Sequence, residues 1–132
     1  MIEGSCQCGA VQWRFEGVPE TATTCNCSIC RRYGALWAYD YENEKITASG
    51  ATQVYMWNRK WIEFHFCPTC GCIAWWRAAM IPTDGRRRIA VNLRLAAPDA
   101  VAAVKAIALI HHDTETRSDL PPDGMHVSDV WA

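Results

Sequence analysis

Apolar and polar positions alternate with a period of two along much of the first two thirds of the chain. Trp13 and Phe15, and again Phe64 and Phe66, each flank a polar residue, as in strands that bury one face. β-Branched and aromatic residues are frequent in this region, and Gly, Pro and Asn interrupt the runs. The pattern predicts strands at residues 9–15, 35–41, 45–49, 53–58, 62–66, 72–77 and 88–93. Asn58-Arg59-Lys60 separates two apolar runs as a hairpin loop would, and Asp84-Gly85 is a turn signal. Two segments read as helix. Residues 28–33 form a short one with Gly34 as its stop. Residues 98–110 are rich in Ala and Val, with Pro98 suited to a first turn. The stretch from about 111 to 132 contains Pro121-Pro122-Asp123-Gly124 and reads as an irregular tail. The expectation is one mainly β domain, residues 1–132, with short helices.

Composition narrows the function classes. Half of the 132 residues are hydrophobic and 20% are charged, which excludes a disordered chain. The net charge of -1 argues against a binder of nucleic-acid backbone; Arg86-Arg87-Arg88 is the single basic run and reads as a solvated hairpin tip. No stretch has the ~18–20 uninterrupted apolar residues of a membrane span. The start, Met1-Ile2-Glu3-Gly4-Ser5, lacks the basic and apolar segments of a secretion signal. The expected compartment is therefore the cytoplasm, where thiols stay reduced.

That expectation changes the meaning of eight cysteines. They fall in three clusters: Cys6-x-Cys8, Cys25-x-Cys27-x-x-Cys30 and Cys67-x-x-Cys70-x-Cys72. A tight turn across Cys-x-x-Cys brings two thiolates to one tetrahedral zinc, and residues two apart on an extended segment share a face. Thiolate ligands favour zinc over magnesium or calcium. Redox dithiols and structural disulfides are the alternatives, and the spacing and the compartment both favour metal. Eight thiolates divide into two closed four-cysteine sites, or into one closed site and one three-thiolate site with a vacancy. Closed sites are structural, whereas a catalytic zinc keeps a position for water or substrate. Cys72 decides between the two divisions. On an extended strand it shares the side of Cys70 and could approach the second metal, as a fourth thiolate or as a neighbour.

The segments Gly4-Ser5-Cys6-Gln7-Cys8-Gly9, Cys25-Asn26-Cys27-Ser28-Ile29-Cys30-Arg31-Arg32 and Phe66-Cys67-Pro68-Thr69-Cys70-Gly71 resemble, in order and spacing, the glutathione-dependent formaldehyde-activating enzymes. That family also includes the centromere-protein-V-like domains. The resemblance implies a β-tent fold of antiparallel sheets held by zinc. It implies a structural zinc on Cys6, Cys8, Cys67 and Cys70. It implies a second zinc on Cys25, Cys27 and Cys30, with glutathione or substrate reaching its open side. Residues 93–98 depart from the family's usual Gly-x-Leu-Asp-x-Pro and read Leu-Arg-Leu-Ala-Ala-Pro.

The reading that follows is a zinc-dependent carbon–sulfur lyase acting on a thiol–aldehyde adduct such as S-hydroxymethylglutathione, with Cys25, Cys27 and Cys30 at the catalytic metal. Arg31 and Arg32 stand beside the last of these, as candidates to neutralise the thiolates and grip glutathione carboxylates. The alternatives are a non-catalytic zinc-stabilised binding module and a thiol redox protein. His65, between two Phe, reads as a hydrogen-bonded strand residue. His111-His112-Asp113 could hold a surface metal, although adjacent side chains on a strand point apart. Of the seven Trp, most are expected to pack on sheet faces. One of the adjacent Trp75 and Trp76 should face outward, where an exposed indole could line a ligand groove.

Overall fold

The structure is a computed structural model and describes residues 1–131. In chain order the elements are β1 (Ile2–Ser5), β2 (Gln12–Phe15), β3 (Thr21–Cys25), α1 (Ser28–Tyr33), β4 (Trp37–Tyr41), β5 (Ile46–Ser49) and β6 (Gln53–Tyr55). They continue with β7 (Ile62–Phe66), β8 (Ile73–Ala78), β9 (Arg88–Asn92), α2 (Val101–Lys105), β10 (Ala108–Asp113) and β11 (Ser118–Asp119). Short 3-10 turns lie at Leu93–Leu95, Pro98–Ala100 and Val127–Val130.

The strands form two sheets. The smaller is antiparallel, in the order β1-β2-β5. Its alternation is regular: Ile2 and Gly4 face inward on β1, and Trp13 and Phe15 on β2. Gly4 is needed there because a Cβ would stand 2.4 Å from the Trp13 indole. The larger sheet runs β11-β10-β3-β4-β9-β8-β7-β6. All its pairings are antiparallel except β10 against β3, which are parallel from Ala108 opposite Thr21 to His112 opposite Cys25. The antiparallel architecture implied by the resemblance therefore holds for the small sheet, and the large sheet is mixed.

The parallel pair arises where the predicted helix over 98–110 fails. The segment opens as a 3-10 turn, forms α2 only to Lys105, and then extends into β10. The run Ile107-Ala108-Leu109-Ile110 has no decisive period, since a short apolar run fits a strand as well as a helix. The open edge of β3 decides it by offering backbone partners to Ala108–His112. The chain beyond 110 is likewise less irregular than expected. The amide of Leu109 donates to Met125 O at 2.9 Å, and that of Val127 to Ile107 O at 2.9 Å. These bonds fold the tail back and bury Val127.

Two apolar clusters result. One joins the sheets around Ile2, Trp13, Phe15, Ile46, Ile89 and Leu93. The other comprises Cys30, Ala35, Trp37, Phe64, Ile73 and Ala90, and lies under α1 and the end of β3. No helix among the described residues is long and apolar enough to cross a membrane.

Candidate active site and metal centres

The first cysteine cluster sits where the two sheets meet. Cys6 follows β1, and the chain turns at Gly9, with φ of 83°. The turn is closed by hydrogen bonds from Cys6 N to Val11 O at 2.9 Å and from Gly9 N to Cys6 O at 3.1 Å. Cys67 and Cys70 occupy the turn between β7 and β8, where Gly71, with φ of 81°, donates to Cys67 O at 2.9 Å. Positive φ is what glycine supplies without a steric cost.

Cys8 Sγ lies 3.6 Å from both Cys6 Sγ and Cys67 Sγ, and the sulfurs of Cys6, Cys8, Cys67 and Cys70 all fall within 4.8 Å of one another. Zinc–sulfur bonds of about 2.3 Å place tetrahedral sulfurs about 3.8 Å apart. The donor set and its spacing therefore fit zinc. Backbone amides favour two of these thiolates: those of Cys72 and Cys8 lower the Cys70 thiol to about 6, and that of Cys70 leads in lowering Cys67. At Cys8 the Ala10 amide is outweighed by the neighbouring Cys6 and Cys67, which raise the thiol to about 11. All eight cysteines are free, so no disulfide competes for these sulfurs.

The second cluster is built by one short segment. Cys25 ends β3, Cys27 caps α1 and Cys30 lies in its first turn. The sulfur of Cys27 accepts the Cys30 amide at 3.3 Å, which is the role a serine or aspartate oxygen plays at many helix starts. Gly34, left-handed with φ of 64°, ends the helix as expected. The three sulfurs lie within 4.8 Å of one another, and no fourth Cys, His, Asp or Glu joins them among the described residues. Hydrogen bonds with Cys25 and Cys30 pull the Cys27 thiol down, while Cys25, Cys27 and burial push Cys30 up. This trio also fits a soft metal, with room for a further ligand.

Cys72 stands apart from the trio. Its carbonyl accepts the Cys67 amide at 3.0 Å, and its side chain packs on the core that holds the first cluster. The Gln7 amide lowers its thiol, but burial and Cys70 outweigh that effect and raise it. The extended-strand argument that carried Cys72 toward the second metal fails because the chain closes on Cys67 before β8 begins at Ile73. Replacing Cys72 with Ser is accordingly expected to leave the zinc content unchanged. Loss of one zinc equivalent, measured by atomic absorption, would return Cys72 to the ligand set.

Beside the trio opens a cleft of about 840 Å³. Ile29, Trp37, Tyr39, Phe64 and Trp76 form its apolar wall, and Trp57 and Trp61 its lip. Trp75 is buried while Trp76 faces this cleft, the division expected of neighbours on a strand. Burial raises the Tyr39 hydroxyl to about 12, so it stays a neutral donor. Arg59, Arg88 and Arg117 also line the cleft, against Asp119 as its one carboxylate. None of the three guanidinium groups is salt-bridged among the described residues. The parallel register sets His112 opposite Cys25, and its Nδ1 lies 2.9 Å from Asp119 Oδ1. That contact orients the imidazole and leaves Nε2 for another partner.

The arginines singled out from the sequence lie elsewhere. Arg31 lines a smaller hollow of about 410 Å³ behind Cys25 and Cys30, together with Arg94. Arg32 donates from Nη1 to Ser28 O at 2.8 Å, within the helix. His65 has both ring nitrogens engaged, with Thr52 Oγ1 at 2.8 Å and Glu63 Oε1 at 3.0 Å, and stacks on Trp75. Burial lowers its pKa, as suits a neutral structural histidine. Arg117 and Asp119 are not singled out in the sequence, Arg59 and Arg88 read there as loop and hairpin-tip residues, and His112 as half of a His111-His112 surface pair, whereas its ring pairs with Asp119. No local spacing joins these five residues. Strands β9, β10 and β11 and the loops before β7 and β11 bring them to one cleft.

Residues 1–110 match the family described as glutathione-dependent formaldehyde-activating enzyme. The chain belongs to this family. A formaldehyde-activating-enzyme relative from Halomonas elongata, whose name is provisional and includes glutathione dependence, is 30% identical over 86 residues, covering 57% of this chain and 55% of the relative. The chain thus spans about half the length of that relative. The crystal structure of a Rhodobacter sphaeroides protein is also similar, with a TM-score of 0.57 and 25% identity over 75% of this chain and 94% of that one. His112 and Asp119 lie beyond the matched residues.

Proposed function

We propose that this chain is a cytoplasmic carbon–sulfur lyase of the formaldehyde-activating family, joining a glutathione-like thiol to an aldehyde and reversing that step. The observation that carries the reading is the three-sulfur cluster opening onto a cleft lined by three arginines that make no salt bridge among the described residues. In this reading Cys25, Cys27 and Cys30 hold one zinc. Cys6, Cys8, Cys67 and Cys70 hold another, which fastens a β-tent. Zinc in the open site would supply Lewis acidity and keep a substrate thiol deprotonated at neutral pH.

The remaining work falls to the chain's own residues. Arg59, Arg88 and Arg117 take the carboxylates of the thiol, since a guanidinium binds a carboxylate through two parallel hydrogen bonds. Arg31 and Arg32 add positive charge at the back of the cysteine segment. The apolar wall excludes water from the reacting carbon. In the bond-forming direction a sulfur lone pair adds to the aldehyde carbon, and the C=O π pair moves to oxygen. The thiol proton ends on that oxygen, so nothing is oxidised or reduced. His112 Nε2 is the atom on this chain at which the proton can be held between donor and acceptor, while Asp119 fixes the ring at Nδ1.

Exchange NMR of glutathione and formaldehyde with the zinc-loaded protein tests the proposal. The exchange rate should exceed that in buffer, and His112→Gln should lower the enzymatic part by about a hundred-fold. A wild-type rate equal to that in buffer would leave a zinc-stabilised binding module as the reading.

A further inference from the structure

The cleft is more aromatic than glutathione and formaldehyde require. Glutathione carries two carboxylates, amides and a thiol, and has no apolar side chain. Formaldehyde adds one carbon and one oxygen. The arginines answer the carboxylates, and the sulfur cluster answers the thiol. The indoles of Trp57, Trp61 and Trp76 have no counterpart in either component.

The placement of this surface is unusual. Trp57 and Trp61 are 38% and 66% exposed, although large apolar side chains are normally withdrawn from water. They flank a hairpin tip in which Asn58 and Lys60 both have positive φ, of 55° and 56°. Lysine rarely adopts that conformation, and backbone held there tends to mark a functional constraint. The tip is nevertheless tied down. Lys60 N donates to Trp57 O at 3.0 Å, and Ala79 N donates to Trp61 O at 2.8 Å, which anchors the lip to the end of β8. Arg59 lies 5.0 Å from the centre of the Trp61 ring, so a cation stands beside the apolar surface. The cleft therefore sets guanidinium groups directly beside aromatic rings, Arg59 at Trp61 and Arg88 5.4 Å from the centre of the Tyr39 ring, in the same space that the sulfur cluster lines. A volume of about 840 Å³ is in the range that holds a ligand of drug size.

We propose that the aldehyde-derived part of the substrate is an apolar, ring-sized group, such as an aromatic aldehyde joined to an anionic thiol, with Trp57 and Trp61 determining that specificity. This rests on the reading of the cleft as a thiol–aldehyde site. An aromatic group on the adduct carbon would reach the indoles while the sulfur stays at the cysteine cluster and the carboxylates at the arginines. Formaldehyde adducts would bind by the thiol portion alone.

S-benzylglutathione and S-methylglutathione are stable probes of the two cases, titrated by calorimetry into the zinc-loaded full chain. S-benzylglutathione should bind at least ten-fold tighter, which is about 1.4 kcal/mol. The double variant Trp57→Ala/Trp61→Ala should bring that ratio below about three, because the aromatic contacts are lost. Met80→Ala, at an exposed position outside the cleft, should keep it. Equal binding of the two probes by wild type would overturn the aromatic subsite and leave the thiol reading intact. A ratio that survives in the double variant would also overturn it. Binding of benzyl mercaptan that depends on Trp57 and Trp61, with no binding of either glutathione derivative, would support the aromatic subsite and overturn the glutathione reading instead.

Discussion

Replacing Cys67 with Ser should unfold the protein at room temperature, even though the change exchanges one sulfur for one oxygen. Cys67 is fully buried and lies 3.6 Å from Cys8, from which it is separated by 59 residues. The four-sulfur cluster therefore joins the turn after β1, in the small sheet, to the turn between β7 and β8, in the large one. Structural zinc contributes about 10–16 kcal/mol of apparent binding free energy in small zinc domains. The whole net stability of a domain is about 5–15 kcal/mol. Loss of one ligand from a closed site would thus remove a contribution comparable with the entire stability, and it would leave the buried Cys6 sulfur without a counter-charge. Cys6→Ser and Cys70→Ser should act alike, and Cys72→Ser, beside the cluster and outside it, is the control. Circular dichroism melts with zinc quantification provide the measurement. Wild-type melts for Cys67→Ser would remove the structural assignment.

The legibility of this fold in its sequence follows the range of the interactions involved. The cysteine clusters could be read because the turns that gather them are local: Gly9 and Gly71 allow the backbone to fold tightly, and Cys27 caps the helix that carries Cys30. Helix α1 could be read for the same reason, since its cap and its Gly34 stop lie within a few residues. The strands at Ile2–Ser5 and Thr21–Cys25 could not. The first is short and contains Gly4, which is there for the Trp13 indole and weakens any strand signal. The second is Thr-rich with little alternation, and it becomes a strand because β4 and β10 pair with it. The cleft was the least legible feature. Arg59 comes from the hairpin after β6, Arg88 from β9, and His112 and Asp119 from β10 and β11. His112 and Asp119 join the other two only through the parallel pairing of β10 with β3, which no nearby residues announce.

The same contrast between local and long-range construction predicts how the two metals should leave. Zinc at Cys25, Cys27 and Cys30 is expected to be removed first, by mild chelation of the folded protein, with loss of the carbon–sulfur exchange and little change in far-ultraviolet circular dichroism. The trio lies on one continuous segment, so its ligands can separate without any sheet pairing being broken. It also supplies three thiolates rather than four, and its neighbouring cleft gives a chelator a path to the metal. The four-sulfur cluster has the opposite character. Cys6 and Cys67 are buried and only Cys8 is exposed, and the cluster's ligands come from turns of two different sheets, so its metal is expected to hold until the fold opens. Titration with a chelator, followed by metal analysis and circular dichroism on the same samples, should show about one equivalent of zinc lost before unfolding and a second lost with it. Adding zinc back to the folded, half-depleted protein should restore the exchange activity. Departure of both metals in a single step at the unfolding transition would make the sites equivalent and remove the basis for an accessible catalytic metal. Retention of activity after the first equivalent has gone would separate the chemistry from Cys25, Cys27 and Cys30 altogether.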